Sequence, residues 1–209
     1  MHSRCSYWYK ISNAKCLIDK DPSFFKDIEK VTLDFNTGDI ILRDLHRQYP
    51  THVLYYCKDN DKSKMTQGHH MLFKVLKAIS LYDIKAGYCQ AHAPIASMLL
   101  MHMNAEQAFW ILAVICTVIL PPDYYSSLDG FLLDSQVFKI GLKMYASKAV
   151  KLLNQLNLSI YFLTEWFMCA FTRTFEFKYS MIVFDLFLLD GVKILFNILF
   201  PSKIFLENQ

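Results

Sequence analysis

Apolar residues recur at three- and four-residue spacing along most of the chain, and nowhere do they alternate long enough to make a strand, so the pattern predicts an all-α fold. Residues 1 to 36 are mixed and fit one or two short helices. A helix is then expected from near Asp39, whose carboxylate suits a helix N-terminus, to Tyr49, because Pro50 disfavours helical geometry at the residue before it. Ile41, Leu45 and Tyr49 form its apolar stripe, and Asp44 and Arg47 are neighbours on an adjacent face. The polar stretch from Thr51 to Gly68 reads as a solvated, mobile loop. Met71, Leu72, Val75, Leu76 and Ile79 resume helical spacing, with Gly87 as the following turn and Pro94 in the first turn of the next helix. Gln90 therefore falls on a connection between helices.

Asn104 reads as the N-cap of a helix from Ala105 to Leu120, broken by Pro121-Pro122. Leu132, Val137, Ile140, Met144, Val150 and Leu153 predict one long helix from about Asp129 to Gln155, weakened in its middle by Gly141. Further helices fit Ile160 to Arg173, Lys178 to Leu189 and Val192 to Phe200, with Gly191 as a break.

Composition narrows the class. At 209 residues, with 54% hydrophobic and 15% aromatic residues, the chain is most simply one domain with a substantial core, and disorder is excluded. The run from Ala108 to Leu120 is shorter than the roughly 20 residues a bilayer core requires. The run from Met181 to Phe200 carries Asp185, Asp190, Lys193 and Asn197, so both read as core helices. A net charge of +3 without a basic stripe argues against a nucleic-acid partner. The first residues lack the apolar run of a signal peptide, and the six cysteines form no regular framework, which points to reduced thiols and the cytoplasm.

Two short stretches carry candidate chemistry. Arg47 offers a permanent cation with a planar fork of donors, suited to charge spread over phosphate oxygens. Gln90 offers an amide that both accepts from and donates to a water. Taken alone, Arg47 is more often an ion-pair partner on a helix and Gln90 is normally a solvated loop residue. Asp44 is either a helix-surface charge or the group that steers Arg47. Tyr88 reads as a packing residue that fixes the Gln90 loop. His69, His70, His92 and His102 with Cys89 match no recognised metal-ligand spacing. A Gly-x-Ser-x-Gly elbow and a glycine-rich phosphate loop are both absent, so neither a serine hydrolase nor a nucleotide binder is indicated.

Ile41-x-x-Asp44-x-x-Arg47 followed by Tyr88-x-Gln90 resembles the two-finger signature of the TBC domain of Rab GTPase-activating proteins. Arg43 to Pro50, Gly87 to Ala91, Ala93 to Ala96, Leu99 to Trp110, Thr164 to Phe171 and Gly191 to Ile194 are similar to its member-10 group. The resemblance implies a helical TBC-type domain in two subdomains, about 1–127 with both fingers and 128–209 with an incomplete C-terminal end. It implies a GTPase activator rather than an enzyme, with a GTP-bound Rab as partner. Arg47 and Gln90 are then the catalytic fingers, supplied in trans, and Asp44 and Tyr88 orient them. No cofactor or metal of its own is implied, because GTP and magnesium belong to the Rab. Association with endosomal, secretory or plasma membranes would be peripheral, through that partner. The alternative is a non-catalytic module of the same fold that binds a GTPase or scaffold. The family's usual Gly-Leu-Pro opening is missing; Phe184-Asp185 and Asp190-Gly191 stand where Trp-Asp and Glu-Gly are usual, and the sequence stops at Gln209.

Overall fold

The computed structural model describes residues 2–58, 64–156 and 163–200, and every regular element among them is helical. The chain divides into two compact units, Met1–Val118 and Ile119–Gln209.

The first unit contains α1 (His2–Ile11), α2 (Lys15–Ile18), α3 (Phe24–Asp27) with a 3-10 turn over Ile28–Lys30, α4 (Phe35–Leu45), α5 (Gln67–Tyr82), α6 (His92–Leu100) and α7 (Ala105–Val114). The first 36 residues are thus more helical than their mixed pattern suggests. They are anchored by large rings: Trp8 is fully buried, and Phe24 and Phe25 stack on Phe109. α5 lies at the centre, packed against α4, α6 and α7. Its Leu72, Val75, Leu76 and Ile79 are buried at the helical spacing the sequence shows. α6 is apolar on nearly every side and all of its residues are buried, as such a pattern requires. α7 starts at the Asn104 cap, whose side chain accepts from the Gln107 N–H at 3.0 Å, and continues into a π-helical turn, Ile115–Ile119.

Two expectations for this unit change. α4 begins at Phe35, not near Asp39, because Asp34 in extended geometry caps it by accepting from Thr37 N–H at 2.9 Å. Asp39 instead pairs with Arg43 one turn on. The helix also stops at Leu45, so Arg47 stands just beyond it, in a turn that ends at Tyr49 with φ of 40°. Nor is the segment after Thr51 simply solvated: Tyr55 is buried and donates to the Ser97 carbonyl at 2.9 Å, and Thr66 Oγ1 donates to the Leu54 carbonyl at 2.8 Å. Gly68, inside α5, permits this approach, since a Cβ there would lie 2.3 Å from the Leu54 carbonyl oxygen. The charged centre of that stretch, 59–63, lies outside the described residues.

The second unit contains α8 (Asp129–Tyr145), α9 (Ser147–Gln155), a π-helical turn (Thr164–Met168), α10 (Phe177–Asp190) and α11 (Lys193–Leu199). The single long helix expected here is two, parted at Ala146 and not at Gly141. Gly141 stays helical and admits the Phe200 ring, whose edge a Cβ would meet at 2.8 Å. Tyr124 donates to the buried Asp134 at 2.8 Å, and Tyr125 to the Met168 carbonyl at 2.8 Å. The start of the helix expected from Ile160 lies outside the described residues; the rest holds the π-helical turn and irregular chain. Gly191, with φ of 73°, breaks α10 from α11 as expected. Among the described residues no helix is long and apolar enough to cross a membrane.

Candidate functional site

Arg47, Asp44, Tyr88 and Gln90 all lie in the first unit, and one carboxylate links the two stretches that carry them. Asp44 sits on the last turn of α4 with its side chain 6% exposed. One of its oxygens is 3.3 Å from Arg47 Nη1, and the other accepts from the Tyr88 hydroxyl at 2.8 Å. Tyr88 is two residues before Gln90 on the α5–α6 connection. Asp44 therefore ties the arginine turn to the glutamine loop. Its side chain is buried and paired, not a helix-surface charge.

The local chain sets up this junction. Because α4 ends at Leu45, the backbone turns under Arg47, and Gln48 folds back so that its amide donates to the Asp44 carbonyl at 3.0 Å. Arg47 is left 58% exposed, held at one end by the ion pair. On the other side, Gly87 takes φ of 61°, a conformation that favours glycine, and its N–H donates to the Asp83 carbonyl at 2.7 Å. This closes the end of α5 and delivers Tyr88 toward Asp44. Gln90 is exposed, while its neighbours are fixed: Cys89 N–H donates to His92 Nδ1 at 3.2 Å, and His92 N–H donates to the Cys89 carbonyl at 2.9 Å.

The electrostatics suit a fixed frame beneath two exposed side chains. Burial, then the hydrogen bond to Asp44, pushes the Tyr88 phenol far above its usual range, so it remains a donor. Burial also raises the Cys89 thiol above its usual range. His92 is fully buried, and desolvation lowers it to about 3, so the ring stays neutral and accepts from Cys89. An exposed guanidinium can pair with oxygen-borne negative charge, and an exposed carboxamide can both donate to and accept from a water.

His92 and Gln48 brace the loops, yet neither is apparent from the sequence; the only signal is the three- or four-residue interval to the backbone group each one bonds. His69, His92, His102 and Cys89 form no ligand cluster among the described residues. A different set does come together: His46, Cys57 and His69 each offer a ligand atom, all within 4.8 Å of one another. Trp110 is in the core, as its pattern suggests, whereas Trp166 is only half-buried.

The family model of the Rab-GTPase-TBC domain matches residues 1–204. The chain is 40% identical over 192 residues to TBC1 domain family member 10A of Mus musculus, covering 91% of this chain and 37% of that protein. It is 38% identical over 196 residues to TBC1 domain family member 10B of Homo sapiens, covering 93% and 24%. Carabin of Mus musculus is 35% identical over 199 residues, covering 95% and 43%. The chain thus spans between about a quarter and under half of these relatives' length. Among solved structures, the Chlamydomonas flagellar RabGAP TBC domain superposes with a TM-score of 0.78 at 22% identity, covering 98% of this chain and 67% of that one, which establishes a shared fold. With its helical architecture and a family match along nearly its whole length, the chain belongs to the Rab-GTPase-TBC domain family.

Proposed function

We propose that the chain activates a Rab-family small GTPase in its GTP-bound state by lending it two side chains. Arg47 enters the nucleotide site and offsets the negative charge that builds on the phosphate oxygens in the transition state; Gln90 orients the attacking water. Hydrolysis is then the GTPase's own reaction, with GTP and magnesium held by the partner. Arginine suits the first role because its fork can bridge two oxygens at once, whereas lysine is a point charge. Any contact with membranes is through the bound Rab.

The observation that carries this reading is the Asp44 junction: a single buried carboxylate engages Arg47 and the Gln90 loop while both finger side chains face solvent. The test is phosphate release from a panel of GTP-loaded Rabs. Wild-type protein should accelerate at least one of them, Arg47→Ala should lose about a thousandfold or more of that acceleration, and Gln90→Ala should also reduce it strongly. Binding to a GTP-loaded Rab without acceleration of any would replace this reading with that of a non-catalytic module.

A further inference from the structure

The turn that carries Arg47 also holds a cluster that the finger chemistry does not use. His46 ends α4, Cys57 lies in the segment that packs on α5, and His69 sits in the first turn of α5. The His46 and His69 rings are 4.5 Å apart between centroids, and Cys57 Sγ is 4.0 Å from His69 Nδ1. His46 and Cys57 are half-buried and His69 is buried, so two of the three groups remain partly accessible to solvent.

From this juxtaposition we propose that His46, Cys57 and His69 form a binding site for a zinc-class divalent ion, with a water completing a four-coordinate shell. One thiolate and two imidazoles are the donor types that borderline-soft cations select over magnesium or calcium. Tetrahedral zinc with bonds of about 2.0–2.3 Å separates its ligand atoms by roughly 3.3–3.8 Å. The three atoms lie within 4.8 Å of one another, so the site closes by about 1.5 Å at most.

Binding exchanges hydrogen bonds in a definite way. The Cys57 thiol now donates to the Lys64 carbonyl at 3.2 Å; as ligand it becomes a thiolate, gives up that bond and releases one proton to solvent. His69 Nδ1 now accepts from Thr66 N–H at 3.1 Å, which places the ring proton on Nε2. A metal on Nδ1 replaces that bond. A metal on Nε2 instead moves the ring proton to Nδ1, which then donates to Thr66 Oγ1, 3.0 Å away. Either route preserves the other half of the cap, in which Thr66 Oγ1 accepts from the His69 N–H. The bound ion would fasten the residue just before Arg47 to the start of α5, at a site whose ligands are separate from the fingers.

The experiment is a titration of tag-free, reduced full-length chain with Zn2+ against a chromophoric chelator, repeated with Co2+ as a spectroscopic probe. One Zn2+ per chain is expected, with a thiolate-to-cobalt charge-transfer band. Cys57→Ser should abolish the band. His69→Gln should weaken Zn2+ binding by at least about 100-fold, since loss of a mere outer-shell partner already costs 10–100-fold. Glutamine also retains the Thr-x-x-Gln capping spacing, so this variant keeps the α5 start folded. Cys16→Ser, at an exposed cysteine, should change nothing. Absence of stoichiometric binding, undiminished binding in Cys57→Ser or His69→Gln, or an equal loss in Cys16→Ser would each overturn the assignment.

Discussion

Tyr88→Phe is the sharpest probe of the Asp44 junction. The substitution keeps the ring and removes only the hydroxyl that donates to the Asp44 carboxylate at 2.8 Å. That oxygen belongs to a side chain only 6% exposed, so water cannot fully replace the lost donor. Hydrogen bonds to charged groups contribute about 1.5–3 kcal/mol, so a loss of about 2 kcal/mol is expected. For a unit of this size that is a fall in melting temperature of roughly 5–10 °C. Because the phenol is held protonated far above its usual range, the loss should be the same from pH 6 to 8, which are values chosen for the assay. Urea unfolding of wild type, Tyr88→Phe, Asp44→Asn and the double variant gives a cycle in which the two changes should couple by about 1 kcal/mol or more. On the proposed function, Tyr88→Phe should lower stimulated GTP hydrolysis by about tenfold, far less than removal of the arginine itself. A variant that unfolds within about 0.5 kcal/mol of wild type, with additive effects in the cycle, would refute the junction.

Asp34→Ala removes the cap on α4 and should cost about 1 kcal/mol, read as a lower urea midpoint at unchanged slope. Gly68→Ala forces a Cβ against the Leu54 carbonyl, and a loss of about 2 kcal/mol or more is expected in the same assay, accompanied by faster proteolysis of the 51–58 segment. His92 should make the chain acid-sensitive. The unfolded chain takes up a proton near 6.5 while the fold resists until about 3, so stability is full above the first value and falls as pH drops toward the second. Its contribution reaches about 1.4 kcal/mol per pH unit at steepest, and His92→Gln, measured by urea unfolding at several pH values, should flatten the profile by about one proton.

The buried helices were legible because their apolar residues repeat at helical spacing: α5, α6 and α7 fall where Leu72, Met98 and Asn104 indicate. Boundaries were legible only where a single residue decides them, as at Asn104 and Gly191. Asp39 misled because an acidic side chain near a helix start serves equally well as a cap or as an i,i+4 partner, and Asp34 took the first role. Gly141 misled because helix propensity counts the missing Cβ as a cost, while packing against Phe200 uses the space. Arg47 and Gln90 could be singled out by the family resemblance of the stretches that carry them, since residue type alone leaves an ion-pair partner and a loop residue. The link between them could not, since nothing in the sequence brings Tyr88 to Asp44 except the packing of α4 on α5.

The enclosure of α6 has a kinetic side. A helix with no solvent face opens only when its neighbours do, so its amides should exchange with deuterium among the slowest in the chain. The Gln90 backbone is moored next to that slow-opening core, whereas Arg47 stands in the turn just past the end of α4, its side chain held by the ion pair to Asp44. On the proposed function, the backbone beneath Gln90 is already fixed when a partner docks, and ordering the two exposed side chains is the step that the partner's shape can gate.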